Sequence, residues 1–289
     1  MKTSISNSKL TIAVNHHGAE LSSITDAKGL EYLWQADPAI WPRQAPQLFP
    51  IIGKLKNDSF KHKGETYSLS SHGLARDMKF ELVSQSENSL HFQLLATDET
   101  RLNYPFEFSL SVSYHLHENS LMVSYEIENN GDELMPFSLG AHPGFALSWE
   151  DGDQIEDYYL EFENKETLRS NLLNDDVLMT SDTNVFLDDE KILPITKNLF
   201  DHNSLNILAH NLKEISLRSK TSDHCVTVDV SGFPQLGLWS KPAAAYICIE
   251  PWLGHADSPD TNGDIMDKAG IVKLAANKIF TCSYSIEIS

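Results

Sequence analysis

Phe106-Glu107-Phe108-Ser109-Leu110-Ser111-Val112-Ser113-Tyr114 decides the fold class of this chain. Every even position is apolar or aromatic and every odd position is polar, the two-residue period of a strand with one face buried. Leu121-Met122-Val123-Ser124-Tyr125-Glu126-Ile127-Glu128 repeats the pattern after the polar turn His117-Glu118-Asn119-Ser120, so the two segments read as an antiparallel hairpin. Asn129-Asn130-Gly131 marks the next turn, and the carboxy-terminal Phe280–Ile288 alternates as cleanly as the first segment. Shorter strands are expected at Leu10–Val14, Tyr32–Trp34, Phe80–Ser84, His91–Leu95, Ile215–Ser219, Val226–Val230 and Tyr246–Glu250. Helix is confined to a turn or two near Asp98–Leu102, ended by Tyr104-Pro105, and a piece near Ser204–His210. The acidic stretches Glu150-Asp151-Gly152-Asp153 and Asp188-Asp189-Glu190 read as solvated loops without the full ligand spacing of a calcium loop. Many short strands separated by turns predict an all-β sandwich or barrel.

The 289 residues suffice for one large all-β domain or two ordinary ones. No Pro/Gly/Ser linker or repeat divides them, which favours a single domain over residues 1–289. Apolar residues make up 41% of the chain, ordinary for a globular protein. The formal net charge of −19 sets the surface against phosphate backbones and anionic lipid, so neither nucleic acid nor a membrane is expected as a partner. Met1–Asn7 lacks a signal-peptide apolar core, no run approaches a membrane span, and Cys225, Cys248 and Cys282 form no CxxC pair. A reduced cytoplasmic protein is the expectation. Oligomeric state is not encoded in these patterns.

Candidate chemistry concentrates in a few stretches. Phe137-Ser138-Leu139-Gly140-Ala141-His142-Pro143-Gly144-Phe145 ends an apolar run on a histidine that Pro143 biases to extended geometry and Gly144 follows with turn freedom. Such an imidazole serves either as a structural turn residue or as a catalytic acid or ligand. In Tyr246-Ile247-Cys248-Ile249-Glu250-Pro251-Trp252, alternation separates Ile247 and Ile249 from Tyr246, Cys248 and Glu250. Glu250 is a solvated strand end or, if buried, a base with a raised pKa; Trp252 is core or a sugar-stacking platform. Leu48–Asn57 carries Lys54 and Lys56 on one side of an extended segment. Ser71-His72-Gly73-Leu74-Ala75-Arg76-Asp77 is a compact polar loop able to bind hydroxyls or an anion, or simply a charged surface turn. His115 and His117 share a strand face as a half-site for metal, but the alternation places them toward solvent. No G-x-S-x-G elbow supports a serine triad.

Taken together, these stretches resemble the aldose 1-epimerase (galactose mutarotase-like) family, in particular its LacX-like branch. The matching pieces, in family order, are Gly18-Ala19-Glu20-Leu21, Leu48-Phe49-Pro50-Ile51-Ile52-Gly53-Lys54-Leu55, His72-Gly73-Leu74-Ala75-Arg76-Asp77, Tyr104-Pro105-Phe106, Gly140-Ala141-His142-Pro143-Gly144-Phe145 and Glu250-Pro251-Trp252. The resemblance implies a large twisted antiparallel β-sandwich with a concave sugar-binding face. It also implies an aldohexose epimerase that needs neither cofactor nor metal. Glu250 falls at the family's general base, His142 at its general acid and His72 at a second active-site histidine. Lys54 stands where many relatives carry an arginine, keeping the charge but losing the planar fork. By the resemblance the family's aspartate falls in Leu199-Phe200-Asp201-His202-Asn203, where Asn203 occupies the aligned position and Asp201 lies two residues before it; Asp201 is the carboxylate candidate. Arg76 and Trp252 complete the expected substrate contacts, with Trp239 and Lys241 as further candidates. The alternatives are a non-catalytic carbohydrate-binding protein on the same scaffold, a hexose-6-phosphate epimerase, and a cupin-like metal enzyme using His115 and His117. A glycosidase would need two placed carboxylates.

Overall fold

The predicted hairpin forms as two ten-residue strands, Phe108–His117 and Ser120–Asn129, in antiparallel register with Leu121 opposite Leu116 and Ile127 opposite Leu110. The computed structural model describes residues 1–289, and this hairpin sits inside a 15-stranded antiparallel sheet. Ile279–Ile288 pairs with its second strand, and Ser89–Leu95 with its first. Open twisted sheets rarely exceed about ten strands without curling. This one closes over itself as a β-sandwich, and strands from both of its ends contribute to one core cluster of 65 buried residues. Tyr114 and Tyr125 illustrate how its inward face is satisfied: both are fully buried, and both hydroxyls bond to Gln47.

Smaller sheets cover the large one. Lys2–Ser6, Leu10–Asn15 and Glu20–Asp26 form a three-stranded meander, and Ser59–His62 pairs with Glu65–Ser68. Helix is as scarce as the alternation requires: Asp98–Arg101, capped by Thr97 and Thr100, is the only α-helical turn.

Two expectations are corrected. Ser204–His210 holds no helix; Leu205–Ile207 is a buried strand, whose polar Asn206 is accommodated by hydrogen bonds with Ser170 and Asn171. Asp188-Asp189-Glu190 is no loop either. It lies in Met179–Pro194, which pairs with Tyr158–Leu173 as a hairpin of two 16-residue strands with several register shifts. Much of Met179–Pro194 is exposed, so no apolar alternation announces it. Tyr32–Trp34 makes only isolated bridges, while the other short strands appear within three residues of their expected bounds.

A candidate acid/base site at a break in the sheet

Tyr246–Leu253 is buried along almost its whole length. Its alternation sends Ile247 and Ile249 into the main core and leaves Tyr246, Cys248, Glu250 and Trp252 on the opposite face. Along one edge it pairs continuously with Gln235–Trp239. Along the other its neighbour is split: Gly144–Ala146 pairs with residues 246–248, and Leu139–Gly140 with residues 252–253. Residues 249–251 therefore face the interruption at His142-Pro143. A proline stands on each side, Pro143 and Pro251, and neither has an N–H to donate to a ladder. His142 and Glu250 each precede one of these prolines and are held extended by it. Across the break the backbone N–H of Ile249 donates to Pro143 O at 3.3 Å. The two side chains meet, with His142 Nε2 3.3 Å from Glu250 Oε2.

Aromatic rings hold the imidazole in place. Trp41 stacks on His142 at 5.1 Å, while Trp239 and His72 approach edge-on, each at 5.6 Å. His72 has φ +66° and is followed by Gly73 at φ +75°, where a Cβ would come within 2.3 Å of Phe49 O. Only glycine permits that approach, and it fixes the turn that aims His72. The backbone N–H of Gly53 donates to His72 Nδ1 at 3.3 Å, so the neutral ring carries its proton on Nε2. Trp252 lies across two glycines of neighbouring strands: a Cβ on Gly237 would be 2.4 Å from its Cζ2, and one on Gly140 2.7 Å from its Cδ1.

Beneath Lys54 a buried ion pair braces the rim. Lys268 Nζ donates to Asp257 Oδ1 at 2.8 Å and to His255 O at 2.7 Å. Asp257 in turn donates its N–H to Lys54 O and accepts from Lys56 N, tying the 255–257 loop to the Lys54 segment.

These elements enclose a cavity of about 220 Å³, the scale of one small molecule. Of the residues singled out from the sequence, Lys54, His72, Arg76, His142, Glu250, Trp252 and Trp239 line it. Asn203 lines it and Asp201 does not; Asp201 is exposed on the turn before the Leu205–Ile207 strand. Lys241 is exposed away from the cavity, and Lys56 turns to Pro259 O instead. Trp41, Arg43, Asn206 and the apolar patch Leu173, Val177 and Met179 also line it. Trp41 and Arg43 come from an irregular segment with no periodicity to mark which side chains turn inward, and the apolar patch belongs to the hairpin that alternation did not reveal.

Burial sets the electrostatics. Glu250 is almost fully buried, which pushes its carboxyl well above the usual range. The Trp252 indole N–H eases that shift only in part and makes no hydrogen bond of normal geometry. Desolvation lowers His142 to about 3; a contact with its own backbone opposes this, and the positive charges of Arg76 and Arg43 reinforce it. His72 is held well below its ordinary value by desolvation, with His142, Arg76 and Arg43 adding to the effect. Burial thus favours the uncharged form of both groups.

His142, Cys248 and Glu250 bring donor atoms within 4.8 Å of one another. Burial and the nearby Glu250 hold the Cys248 thiol well above its normal range. A cation at this trio would have to displace those protons. His115 and His117 are exposed on the hairpin.

A buried carboxyl in contact with a buried imidazole under an aromatic-lined pocket, on a curled antiparallel sandwich, makes a candidate acid/base site. Residues 1–263 match the aldose 1-epimerase family, and the chain belongs to it. It is 34% identical to the plasmid-encoded protein LacX of Lactococcus lactis subsp. lactis over 297 aligned positions, covering all of this chain and 99% of the relative. Its structure resembles the galactose mutarotase related enzyme of Lactobacillus acidophilus, with a TM-score of 0.95, 35% identity and coverage of 100% and 97% of the two chains. A galactose mutarotase-like protein from Lactobacillus casei matches along the full length of both chains, with a TM-score of 0.94 and 31% identity.

Proposed function

We propose that this chain is an aldose 1-epimerase that interconverts the α and β anomers of an aldohexose, with Glu250 as general base and His142 as general acid. The observation that carries the reading is the direct Glu250–His142 contact of 3.3 Å beside a small-molecule cavity. In ring opening, Glu250 takes the proton of the C1 hydroxyl as the C1–O5 bond breaks, and His142 gives its proton to the ring oxygen. The product is the open-chain aldehyde. After rotation about C1–C2 the carbonyl presents its other face, and closure returns both protons by the reverse transfers. The pair carries one proton throughout, so the chemistry exchanges none with solvent and needs no redox or nucleotide cofactor.

The environment favours the difficult half of this cycle. Ring opening turns a carboxylate–imidazolium pair into a carboxylic acid beside a neutral imidazole. That is the arrangement burial already favours for Glu250 and His142. His72, Lys54, Arg76 and Trp252 are assigned to substrate binding on their place in the cavity wall; Asn203, which lines the wall, is a better placed polar contact than Asp201.

Polarimetry on freshly dissolved α-anomer tests the assignment. Glu250→Gln, which keeps the shape of the side chain, is expected to lose about 10²- to 10⁴-fold in catalysed mutarotation, the usual contribution of a positioned acid or base. Wild-type rates in a folded Glu250→Gln protein would remove Glu250 from the mechanism.

A further inference from the structure

The chain as a whole is acidic, with 41 Asp and Glu against 22 Lys and Arg. The cavity wall inverts that balance. Arg43, Lys54 and Arg76 line it, and Glu250 is the only acidic residue that does. Glu250 is the buried carboxyl of the acid/base pair and is held toward its neutral form, so it offsets little of this charge. Asp77, outside the wall and half-exposed, is the one carboxylate in ion-pair contact with the arginines, 2.6 Å from Arg43 Nη2 and 3.5 Å from Arg76 Nε. Arg76 Nε is buried without a hydrogen-bond partner, and Lys54 enters no ion pair. The positive field reaches the reacting centre, because Arg43 and Arg76 both act on His72 and His142.

Gathering like charges in a partly desolvated cavity is costly unless an anion answers them. A neutral sugar offers only hydroxyls, whereas the planar guanidinium fork matches a phosphate or carboxylate. Resting on the epimerase reading, we infer that the aldose turned over here carries an anionic group, a phosphate or a carboxylate, which Arg43, Lys54 and Arg76 hold while its anomeric centre meets Glu250 and His142.

Anomer-exchange NMR on the full chain tests this with glucose and galactose, their 6-phosphates, and glucuronate and galacturonate. At least one anionic series is expected to exceed its neutral parent tenfold or more in kcat/KM, since a hydrogen bond to a charged group is worth roughly tenfold or more. Preference for the phosphates or for the uronates identifies which anion the site holds. Arg43 is partly exposed and bonds only Asp77 and Arg76 O, so Arg43→Gln is expected to fold, which its urea midpoint checks. That variant should lose roughly 10- to 100-fold more on the anionic sugar than on the neutral parent, whatever its common effect on both through His142, with partial recovery in Arg43→Lys. Inorganic phosphate or glucuronate should compete with the preferred substrate in the wild type and less well in Arg43→Gln. Faster turnover of the neutral parents, with Arg43→Gln affecting both classes equally, overturns the inference and leaves the epimerase standing. Acceleration of no sugar in the panel overturns both.

Discussion

Gly237→Ala probes the packing that places Trp252. The new methyl carbon would lie 2.4 Å from Cζ2, 2.5 Å from Cη2 and 3.0 Å from Cε2 of the indole. Ordinary carbon–carbon contact is about 3.5–4.0 Å, so the ring must retreat by more than about 1 Å. The indole also lies close on Gly140, tolerated only because that residue lacks a Cβ, which would be 2.7 Å from Cδ1. Overpacking of this kind costs about 1–3 kcal/mol. At ~2.1 cal/mol/K per residue, 2 kcal/mol lowers the thermal midpoint of a chain this long by about 3 °C. A 1 Å displacement of a group bordering the reacting atoms costs on the order of 10² in rate. Activity should therefore fall further than stability, as read by polarimetry and by urea titration of the same preparation. Trp252→Leu removes the clashing ring, so the double variant Gly237→Ala/Trp252→Leu should be more stable than the sum of the single effects by ~1 kcal/mol or more. Additivity within about 0.5 kcal/mol, or a Gly237→Ala protein with wild-type rate and midpoint, would refute the packing argument.

Two further outcomes follow from buried charges. His142 falls from 6.5 unfolded to about 3 folded, so between these values the unfolded chain binds more protons and stability drops as the pH is lowered; Glu250, shifted upward, contributes the opposite slope above its unfolded value of 4.5. His142→Gln should therefore flatten the loss of stability between pH 6.5 and pH 4 in urea titrations, and an unchanged acid limb would mean the imidazole is not desolvated. Lys268→Met strands Asp257 and should cost about 3–5 kcal/mol, whereas Lys268→Met with Asp257→Asn should recover much of it; equal midpoints for the two proteins would show that the pair bears no burden at the rim.

The sequence is most legible where a strand has one wet face and one dry one. Phe108–His117, Ser120–Asn129 and Ile279–Ile288 announce themselves because their side chains alternate between core and solvent. The signal fails at both extremes of burial. Asn206 is polar yet buried, satisfied by Ser170 and Asn171, so Leu205–Ile207 looks unlike a strand. Glu163, Lys165, Asp188 and Glu190 point to water from a hairpin with little core of its own, so Asp188-Asp189-Glu190 looks like a loop. His142 and Glu250 each stand at an X-Pro step in the sequence and are paired there only through the family resemblance; their meeting depends on the order of neighbours in the sheet, which no local pattern carries. The charge of the cavity was half visible. Lys54 and Arg76 stand in recognisable stretches, while Arg43 reaches the wall from a segment whose direction only folding decides.

The two prolines that interrupt the ladder have a consequence beyond aiming side chains. A gap made by loops can breathe shut, and a gap made by a bound ligand exists only while the ligand does. Here the missing donors are written into the covalent chain, so although Ile249 N–H reaches Pro143 O, no thermal fluctuation can complete the ladder across Pro143 and Pro251. The opening is bought during synthesis and folding, once, and each arriving molecule finds it ready. Pre-organisation of this sort keeps the ordering cost out of the binding step and lets one of the most deeply buried strands in the molecule carry a carboxyl to the cavity wall without loosening the sheet around it.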